Sequence, residues 1–300
     1  MSLKLPKVNK SICAKAFAKL NLNLKITGKR QNGYHTLSSV MQSVSLSDTI
    51  FLSVSPGFGI SLECEGFSSQ NENILTKTAE MFLKAVNKKA HIKIKLIKNI
   101  PVLAGIGGGS ADVAALLNML SFIFCYPLDE NSLKNLALKL GSDVPFCLEG
   151  GTKLVGGIGE EIEPFPAFKK SEVVLIKEFE KTSTAEMYQK FDKANPDIID
   201  LYEGEVYDIS PGFLKNDFLA VSPYKNEQEK ICNHLLELGA SHVGLTGSGP
   251  TVFGIFDFIK NDIKERIKAK YKNVYFCNTC ESGMELIRTS SDKADFCTIS

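Results

Sequence analysis

A glycine-rich segment in the first half of the chain constrains the fold more than any other feature. Gly105-Ile-Gly-Gly-Gly-Ser110 runs directly into an apolar pattern with helical spacing that begins at Val113. A junction between a loop and a helix leaves backbone N–H groups without helical partners, at the positive end of the helix dipole. The sequence therefore predicts an anion site at this junction, and phosphate suits such a site.

The glycines of this loop favour phosphate because a residue without a Cβ lets the backbone approach a ligand closely. Four of the five residues from 105 to 109 are glycine, which we interpret as more than packing needs. A glycine turn that lets a helix pack closely is the structural alternative. The segment does not match G-x-x-x-x-G-K-[ST], because no lysine follows the loop. It does not match G-x-G-x-x-G either, because Ser110 stands at the last glycine position.

The N-terminal region has the pattern of a strand with one polar face. Apolar and polar residues alternate over residues 15–26, as expected where successive side chains point to opposite faces of a sheet. Lys19 and Asn21 then share the polar face, and a loop follows over residues 27–35. Taken alone, Lys19 is typical of a solvated surface lysine.

Two short segments later in the chain also have ordinary structural interpretations. Asp143 follows a helix predicted for residues 130–140 and precedes Pro145, so alone it predicts a cap or turn for the next helical segment. Thr246-Gly-Ser-Gly-Pro250 alone predicts a turn between the two strands of a hairpin.

The composition indicates a folded protein with one large or two ordinary domains. The chain has 300 residues, of which 44% are hydrophobic and 23% charged, enough to fill a core and cover its surface. The formal net charge of +1 predicts neither nucleic acid nor an anionic membrane as a partner. Without the pattern of a signal peptide or a membrane span, we expect a cytoplasmic protein. The eight cysteines, including Cys277-Asn-Thr-Cys280, are expected to be free thiols, with a metal or redox role as the alternative.

Four segments, taken together and in this order, resemble the GHMP kinase superfamily. The glycine loop and the fourth segment are typical of the whole superfamily. The Gly33-Tyr34-His35 loop and the segment around Asp143 resemble one branch, which phosphorylates 4-diphosphocytidyl-2-C-methyl-D-erythritol in the non-mevalonate route to isoprenoids. The segments are AKLNLNLKITGKRQNGYH (18–35), IPVLAGIGGGSADVAALL (100–117), LGSDVPFCLEGG (140–151) and LTGSGPTVFGIF (245–256).

The resemblance implies an α+β fold of two lobes with the active site in the cleft between them. Residues 1–160 would form the N-terminal lobe that binds ATP and its phosphates, and residues 161–300 the C-terminal GHMP-kinase lobe. The implied reaction is ATP-dependent phosphorylation of the 2-hydroxyl of the cytidine-diphosphate-linked methylerythritol. Its small-molecule partners are therefore this substrate and ATP.

The resemblance also implies catalytic roles. Asp143 matches the general base that takes the proton of the acceptor hydroxyl, and Lys19 matches the lysine that orients this base. Mg²⁺ is expected to bridge the ATP phosphates, but no residue is assigned as its ligand. The residues that match the loop around the ATP phosphates are Gly105, Gly107, Gly108, Gly109 and Ser110.

On the substrate side, Tyr34 and His35 match a pair that binds cytidine. The chemistry agrees, because an aromatic ring stacks on a nucleobase and an imidazole can hydrogen-bond its edge. Without the family, these two residues would predict only an exposed hairpin tip. Tyr188 matches a second aromatic residue on the base, and Asn21 matches an asparagine on the substrate side.

Two further groups match less specific parts of the family pattern. Asn73 and Lys98 align with positions near the adenine, and the third superfamily motif comprises Thr246, Gly247, Ser248 and Gly249. This chain departs from the pattern at three positions. Leu103 and Ala104 stand where some members have glycine, and Asp112 stands where some have asparagine.

Two other functions stay open at this point. The first is a GHMP kinase for homoserine, mevalonate or a sugar, which would have no use for an aromatic pair around a nucleobase. The second is a nucleotide-binding sensor without catalysis, which would have no chemical reason to keep both Lys19 and Asp143.

Overall fold

The computed structural model describes residues 10–66, 74–195 and 209–287. Within these ranges the chain forms thirteen strands and eight helices. The elements up to residue 164 are β1 (Lys10–Asn21), β2 (Lys25–Lys29), β3 (His35–Ser55), β4 (Gly59–Glu65), α1 (Ile74–Ala85), β5 (His91–Ile97), α2 (Gly108–Ile123), α3 (Glu130–Leu140), α4 (Val144–Glu149), β6 (Thr152–Gly156) and β7 (Glu161–Pro164). The later elements are β8 (Glu172–Ile176), α5 (Thr184–Ala194), β9 (Gly212–Phe213), α6 (Asp217–Ala220), α7 (Lys225–Glu237), β10 (His242–Leu245), β11 (Val252–Phe256), α8 (Asn261–Lys270), β12 (Val274–Cys280) and β13 (Met284–Ile287).

Strand β3 is the centre of the sheet in the first half of the chain. It pairs antiparallel with β1, β2, β5, β6 and β12 at successive positions along its length. Helices α1, α2, α3 and α4 pack against this sheet in one apolar cluster, to which α2 contributes most of its own small and aliphatic side chains. The sheet thus presents β1, with its polar residues, beside the N-terminus of α2.

The last strands connect the two halves of the molecule. Strand β12 pairs with β3 at one end and with β8 along most of its length, and β13 pairs with β1. The second half continues the sheet in the order β8, β11, β10 and β9. A separate apolar cluster fills the junction, with contributions from β1, β3, β8 and β11. Both halves therefore share one hydrogen-bonded sheet.

Most predicted elements are present, with three differences. The single strand predicted over residues 15–26 is two strands, because Leu24 leaves the sheet and its N–H donates to the carbonyl of Lys215. The loop predicted over residues 27–35 is shorter, since β2 and β3 extend into it. Five strands were not predicted at all, namely β4, β6, β7, β9 and β13. The hairpin around residues 246–250 is confirmed by the antiparallel pairing of β10 and β11.

Among the residues that the structure describes, no helix has the length and apolar character needed to span a membrane.

Candidate active site

An ion pair between Lys19 and Asp143 lies at the centre of the candidate site. Lys19 is near the end of β1, and Asp143 immediately precedes α4. The Lys19 Nζ is 2.9 Å from Asp143 Oδ2, with the lysine side chain 4% exposed and the aspartate side chain 31% exposed. The structure thus joins two residues that are 124 positions apart in the sequence, and it leaves the carboxylate accessible to a ligand.

Asp143 occupies the N-cap position of α4, but its side chain makes no capping hydrogen bond. Pro145 lies in the first turn of that helix and has no N–H to be capped. The carboxylate points instead to Lys19. The capping interpretation of Asp143 is therefore wrong for its side chain.

Asn21 fixes the position of the Lys19 ammonium. Its Oδ1 accepts a hydrogen bond of 2.7 Å from Lys19 Nζ, and its Nδ2 donates one of 2.8 Å to Ser39 Oγ on β3. Because Asn21 is buried, both ends of its amide are used inside the protein. Its match to a substrate-side asparagine stays a prediction, but the structure gives it a positioning contact to Lys19.

The glycine loop ends in a left-handed residue that begins α2. Gly107 is the N-cap, with φ of +73°, and the helix starts at Gly108 without a side-chain cap. Ser110 lies inside the first turn of the helix and does not cap it. The first N–H groups of α2 remain available to an anion, at the end of the helix that carries the positive dipole.

Three of the loop glycines are also required for close packing. A Cβ on Gly105 would lie 2.3 Å from the carbonyl oxygen of Gly249, and one on Gly107 would lie 2.7 Å from Lys19 Cγ. A Cβ on Gly108 would lie 2.9 Å from Ile100 Cγ2. Of the four loop glycines, only Gly109 could carry a Cβ that meets no described atom within 4 Å. Our interpretation that the glycines exceed what packing needs was therefore wrong for three of the four.

The third motif packs directly on this loop and on β1. The backbone N–H of Asn21 donates to Thr246 Oγ1 at 3.0 Å. A Cβ on Gly247 would lie 2.8 Å from the carbonyl oxygen of Gly105. The structure thus brings together the N-terminal strand, the glycine loop and the turn at residues 246–250.

Lys181 is a member of this site that the sequence did not reveal. Its Nζ donates to Ser248 Oγ at 2.6 Å and to the carbonyl oxygen of Gly249. Burial, together with the nearby Lys19 ammonium, lowers the pKa of Lys181 to about 8, although Asp143 acts in the opposite direction. It is a second cation beside the Lys19–Asp143 pair, and nothing in its sequence context distinguishes it from a surface lysine.

The glycine loop lines a cavity of about 510 Å³. Lys98 and Asp112 also line this cavity, and the match of Lys98 to an adenine-side position stays a prediction. Asn73, the other residue predicted there, lies outside the described residues.

Lys98 is held in a buried network of two carboxylates. Its Nζ contacts Asp48 Oδ2 and lies 2.8 Å from Asp112 Oδ2, and all three side chains are nearly inaccessible. Burial alone would lower the pKa of Lys98, but the carboxyls of Asp112 and Asp48 raise it. Burial raises the pKa of Asp112 to about 8 against the influence of Lys98. Asp112 Oδ1 has no hydrogen-bond partner in the described part of the chain.

A second cavity, of about 720 Å³, is lined by the predicted nucleobase residues. Tyr34, His35 and Tyr188 line it, together with Gly141 and Ser142 just before Asp143. The Tyr34 side chain is 62% exposed. The rings of His35 and Tyr188 are stacked, with centroids 4.4 Å apart and planes 9° apart. The structure thus brings together the three residues that the sequence predicted to bind the base.

Asp192 is a second residue of the site that the sequence analysis missed. It follows Tyr188 by one helical turn on α5, and its Oδ1 lies 2.6 Å from His35 Nε2. The spacing of four residues from Tyr188 was the available signal, because residues i and i+4 share one face of a helix.

In residues 10–66, 74–195 and 209–287, no group of three His, Cys, Asp or Glu side chains could hold a metal ion. Seven cysteines are free thiols, among them both members of the Cys277–Cys280 pair.

Substitution of loop glycines should separate packing from ligand binding. Gly105→Ala, at φ of +76° and against the Gly249 carbonyl, should destabilise the fold by about 1–3 kcal/mol. Gly109→Ala, at an open helical position, should leave stability equal or raise it by about 0.5–1 kcal/mol. Gly109→Ala should nevertheless weaken the binding of ATP, the ligand that the sequence implies. Urea denaturation and titration calorimetry measure the two effects; unchanged ATP affinity in Gly109→Ala would contradict phosphate contact at this position.

Asp112→Asn should change how stability depends on pH. A carboxyl with a higher pKa in the folded state than in the unfolded state contributes less to the free energy of unfolding as pH rises between the two values. For Asp112 the pKa is 3.8 in the unfolded state and about 8 in the folded state. Because the amide does not titrate, the free energy of unfolding of the wild type minus that of the variant should fall from about pH 5 to about pH 8. Urea denaturation at both pH values tests this, with the exposed Asp262→Asn as control, and a constant difference would refute it.

The chain is similar in sequence to known kinases. Residues 73–151 match the family described as GHMP kinases N terminal domain, and residues 211–273 match GHMP kinases C terminal. The 4-diphosphocytidyl-2-C-methyl-D-erythritol kinase of Thermoanaerobacter pseudethanolicus is 37% identical over 288 residues, which cover 92% of this chain and 99% of that protein. The protein of the same name from Clostridium botulinum is 37% identical over 278 residues, which cover 89% of this chain and 99% of that one.

Solved structures share the fold at lower identity. A crystal structure of 4-(cytidine 5'-diphospho)-2C-methyl-D-erythritol kinase superimposes with a TM-score of 0.68 at 24% identity, covering 91% of this chain and 99% of that chain. The homoserine kinase of Cytophaga hutchinsonii superimposes with a TM-score of 0.64 at 16% identity, covering 95% and 100%. At these identities the likeness concerns the fold alone.

Proposed function

The chain belongs to the family of 4-diphosphocytidyl-2-C-methyl-D-erythritol kinases, a branch of the GHMP kinases, and we propose how its residues perform this activity. The predicted α+β GHMP-kinase fold is confirmed. The chain is an ATP-dependent small-molecule kinase of isoprenoid biosynthesis. In our proposal it transfers the γ-phosphoryl group of ATP to the 2-hydroxyl of the cytidine-diphosphate-linked methylerythritol.

One observation supports this assignment of roles above all others. The Lys19–Asp143 pair adjoins the linings of two cavities of different chemistry. Lys19 packs its stem on Gly107, which lines the cavity of the glycine loop. Asp143 follows Ser142, which lines the cavity of Tyr34, His35 and Tyr188. The terminal phosphate of a nucleoside triphosphate in the first cavity and the hydroxyl of a nucleobase-bearing acceptor in the second would come together at the ion pair.

Asp143 is the general base in this proposal. The acceptor hydroxyl gives its proton to the carboxylate as its oxygen forms a bond to the γ-phosphorus, and the bond from that phosphorus to ADP breaks. The geometry suits this role, because Lys19 holds one carboxylate oxygen, Oδ2, while the side chain stays partly exposed. A correctly placed base contributes roughly 10²- to 10⁴-fold in rate.

Lys19 orients the base and offsets negative charge near the transferred group. Its buried ammonium is fixed by Asp143 and Asn21, so little motion is lost when the substrates bind. Lys181 adds positive charge on the side of the third motif. Two cations thus face the region where the phosphates of both substrates would converge.

ATP is placed by the glycine loop and the first turn of α2. Its phosphates would accept hydrogen bonds from the N–H groups that follow Gly107, and its adenine would occupy the cavity beside Lys98. We propose that Mg²⁺ accompanies ATP, because Mg²⁺ is usually held by substrate phosphates with one or two carboxylates. When bound, it would neutralise part of the phosphate charge.

Two further parts of the proposal concern the chain as a whole. We place the boundary between an ATP-binding lobe and a C-terminal lobe at residues 160 and 161, and the two family matches, one on each side, support it. We also propose a cytoplasmic enzyme, which the seven free thiols support.

Release of ADP in the presence of ATP and Mg²⁺ tests the substrate assignment. The acceptors to compare are 4-diphosphocytidyl-2-C-methyl-D-erythritol, mevalonate, homoserine and galactose. We expect turnover of the first alone. Turnover of another acceptor would keep the chemistry of Asp143 and Lys19 but refute the substrate, and ATP binding without any turnover would refute the kinase assignment.

Asp143→Asn should lower kcat by at least about a hundredfold, because an amide cannot accept the proton of the hydroxyl. Affinity for ATP should change little, since the glycine loop does not involve this side chain. Steady-state kinetics and titration calorimetry provide the two measurements. Asp262→Asn, an equal loss of charge on the exposed surface of α8, serves as the control. Near-normal turnover in Asp143→Asn would eliminate this residue as the base.

A further inference from the structure

The side chain of His35 is held from the neighbouring helix by Asp192. The His35 Nε2 lies 2.6 Å from Asp192 Oδ1, and the imidazole side chain is only 6% exposed. The other oxygen of the same carboxylate, Oδ2, accepts a hydrogen bond of 2.6 Å from Lys29 Nζ. The carboxylate therefore links α5 to β2 and to the first residue of β3.

This contact determines which nitrogen of His35 carries hydrogen. Partial burial would raise the pKa of Asp192, but the hydrogen bonds from Lys29 and His35 hold it below its usual value. An ionised carboxylate only accepts hydrogen bonds, so Nε2 is the donor. In a neutral imidazole the other nitrogen then has a free lone pair. Within the described ranges, Nδ1 of His35 has no hydrogen-bond partner.

Stacking on Tyr188 fixes the plane of the His35 ring. The two ring planes differ by only 9°, so the Nδ1 lone pair points along a plane parallel to the Tyr188 ring. Tyr34 lines the same cavity and offers a further aromatic surface.

We propose that Asp192 is a positioning residue that selects cytosine over uracil by fixing His35 with its hydrogen on Nε2 and its lone pair on Nδ1. The inference rests on the proposed function, because it assumes that the acceptor substrate carries its base in this cavity. Cytosine presents an exocyclic amino group that can donate to Nδ1. Uracil presents a carbonyl oxygen at the same position, which would face the lone pair and leave both acceptors without a donor.

The protonation of His35 can be measured without any substrate. Nitrogen-15 NMR distinguishes a protonated imidazole nitrogen from one with a lone pair, and the chain has four histidines. At about pH 8 we expect hydrogen on Nε2 of His35 and none on Nδ1. Asp192→Ala should yield a mixture of both neutral forms. His35→Gln assigns the signal, and hydrogen on Nδ1 in the wild type would overturn the proposal.

Kinetics with two acceptors then test selectivity. Asp192→Ala should raise KM for the cytidine substrate with little change in kcat, and should reduce the preference for it over its uridine counterpart by about tenfold. Asp192→Asn, which keeps an accepting oxygen, should lose less of this preference. The control is Glu186→Gln, which removes a negative charge from the same helix where Glu186 pairs with Lys190. Circular dichroism checks that each variant is folded.

The outcomes separate this inference from the proposed function. A wild type without activity on the cytidine substrate would refute the proposed function. The NMR measurement would still show which nitrogen of His35 carries the hydrogen. An active wild type whose base preference survives in Asp192→Ala would overturn the inference alone. A higher KM for both acceptors with an unchanged ratio would likewise overturn it, because it would show a merely structural role.

Discussion

The buried ammonium of Lys19 is the constraint on which the active site depends. An unpaired charge in a protein interior is strongly unfavourable, so this group requires partners at fixed positions. Asp143 provides an ion pair from the start of α4, and Asn21 provides a hydrogen bond from the same strand as Lys19. Asn21 is itself held by Ser39 of β3 and by Thr246 of the third motif. The position of the Asp143 carboxylate is thus determined by strands and turns far from it in the sequence.

Close backbone contacts give the same region its rigidity. Gly105 and Gly247 meet where the loop of the first half crosses the turn of the second half, and Gly107 admits the stem of Lys19. A Cβ on Gly105 or Gly247 would collide with a backbone oxygen, and one on Gly107 would collide with the stem of Lys19. Of the four loop glycines, Gly109 alone has no such contact in the described structure, so it is the one best placed to meet a ligand. Lobe packing and the proposed phosphate binding therefore involve the same short segment.

The sequence predicted the parts of the site that depend on local spacing. Period two placed Lys19 and Asn21 on one face of a strand, and the glycine loop before an apolar run predicted the start of α2. It could not decide whether Asp143 caps a helix or pairs with a lysine, because that choice depends on a contact across 124 residues. Lys181 and the network of Lys98 were hidden for the same reason.

The continuous sheet has a mechanical consequence. Many enzymes with a cleft between two lobes close it by rotation about a few loop residues, which act as a hinge. Here β12 is hydrogen-bonded to strands of both halves, and β13 returns to pair with β1. Rotation of one half against the other would have to shear these hydrogen bonds. We therefore expect segments at the rim of the cleft, such as the turn between β2 and β3, to open and close it. The continuous sheet beneath would keep its shape.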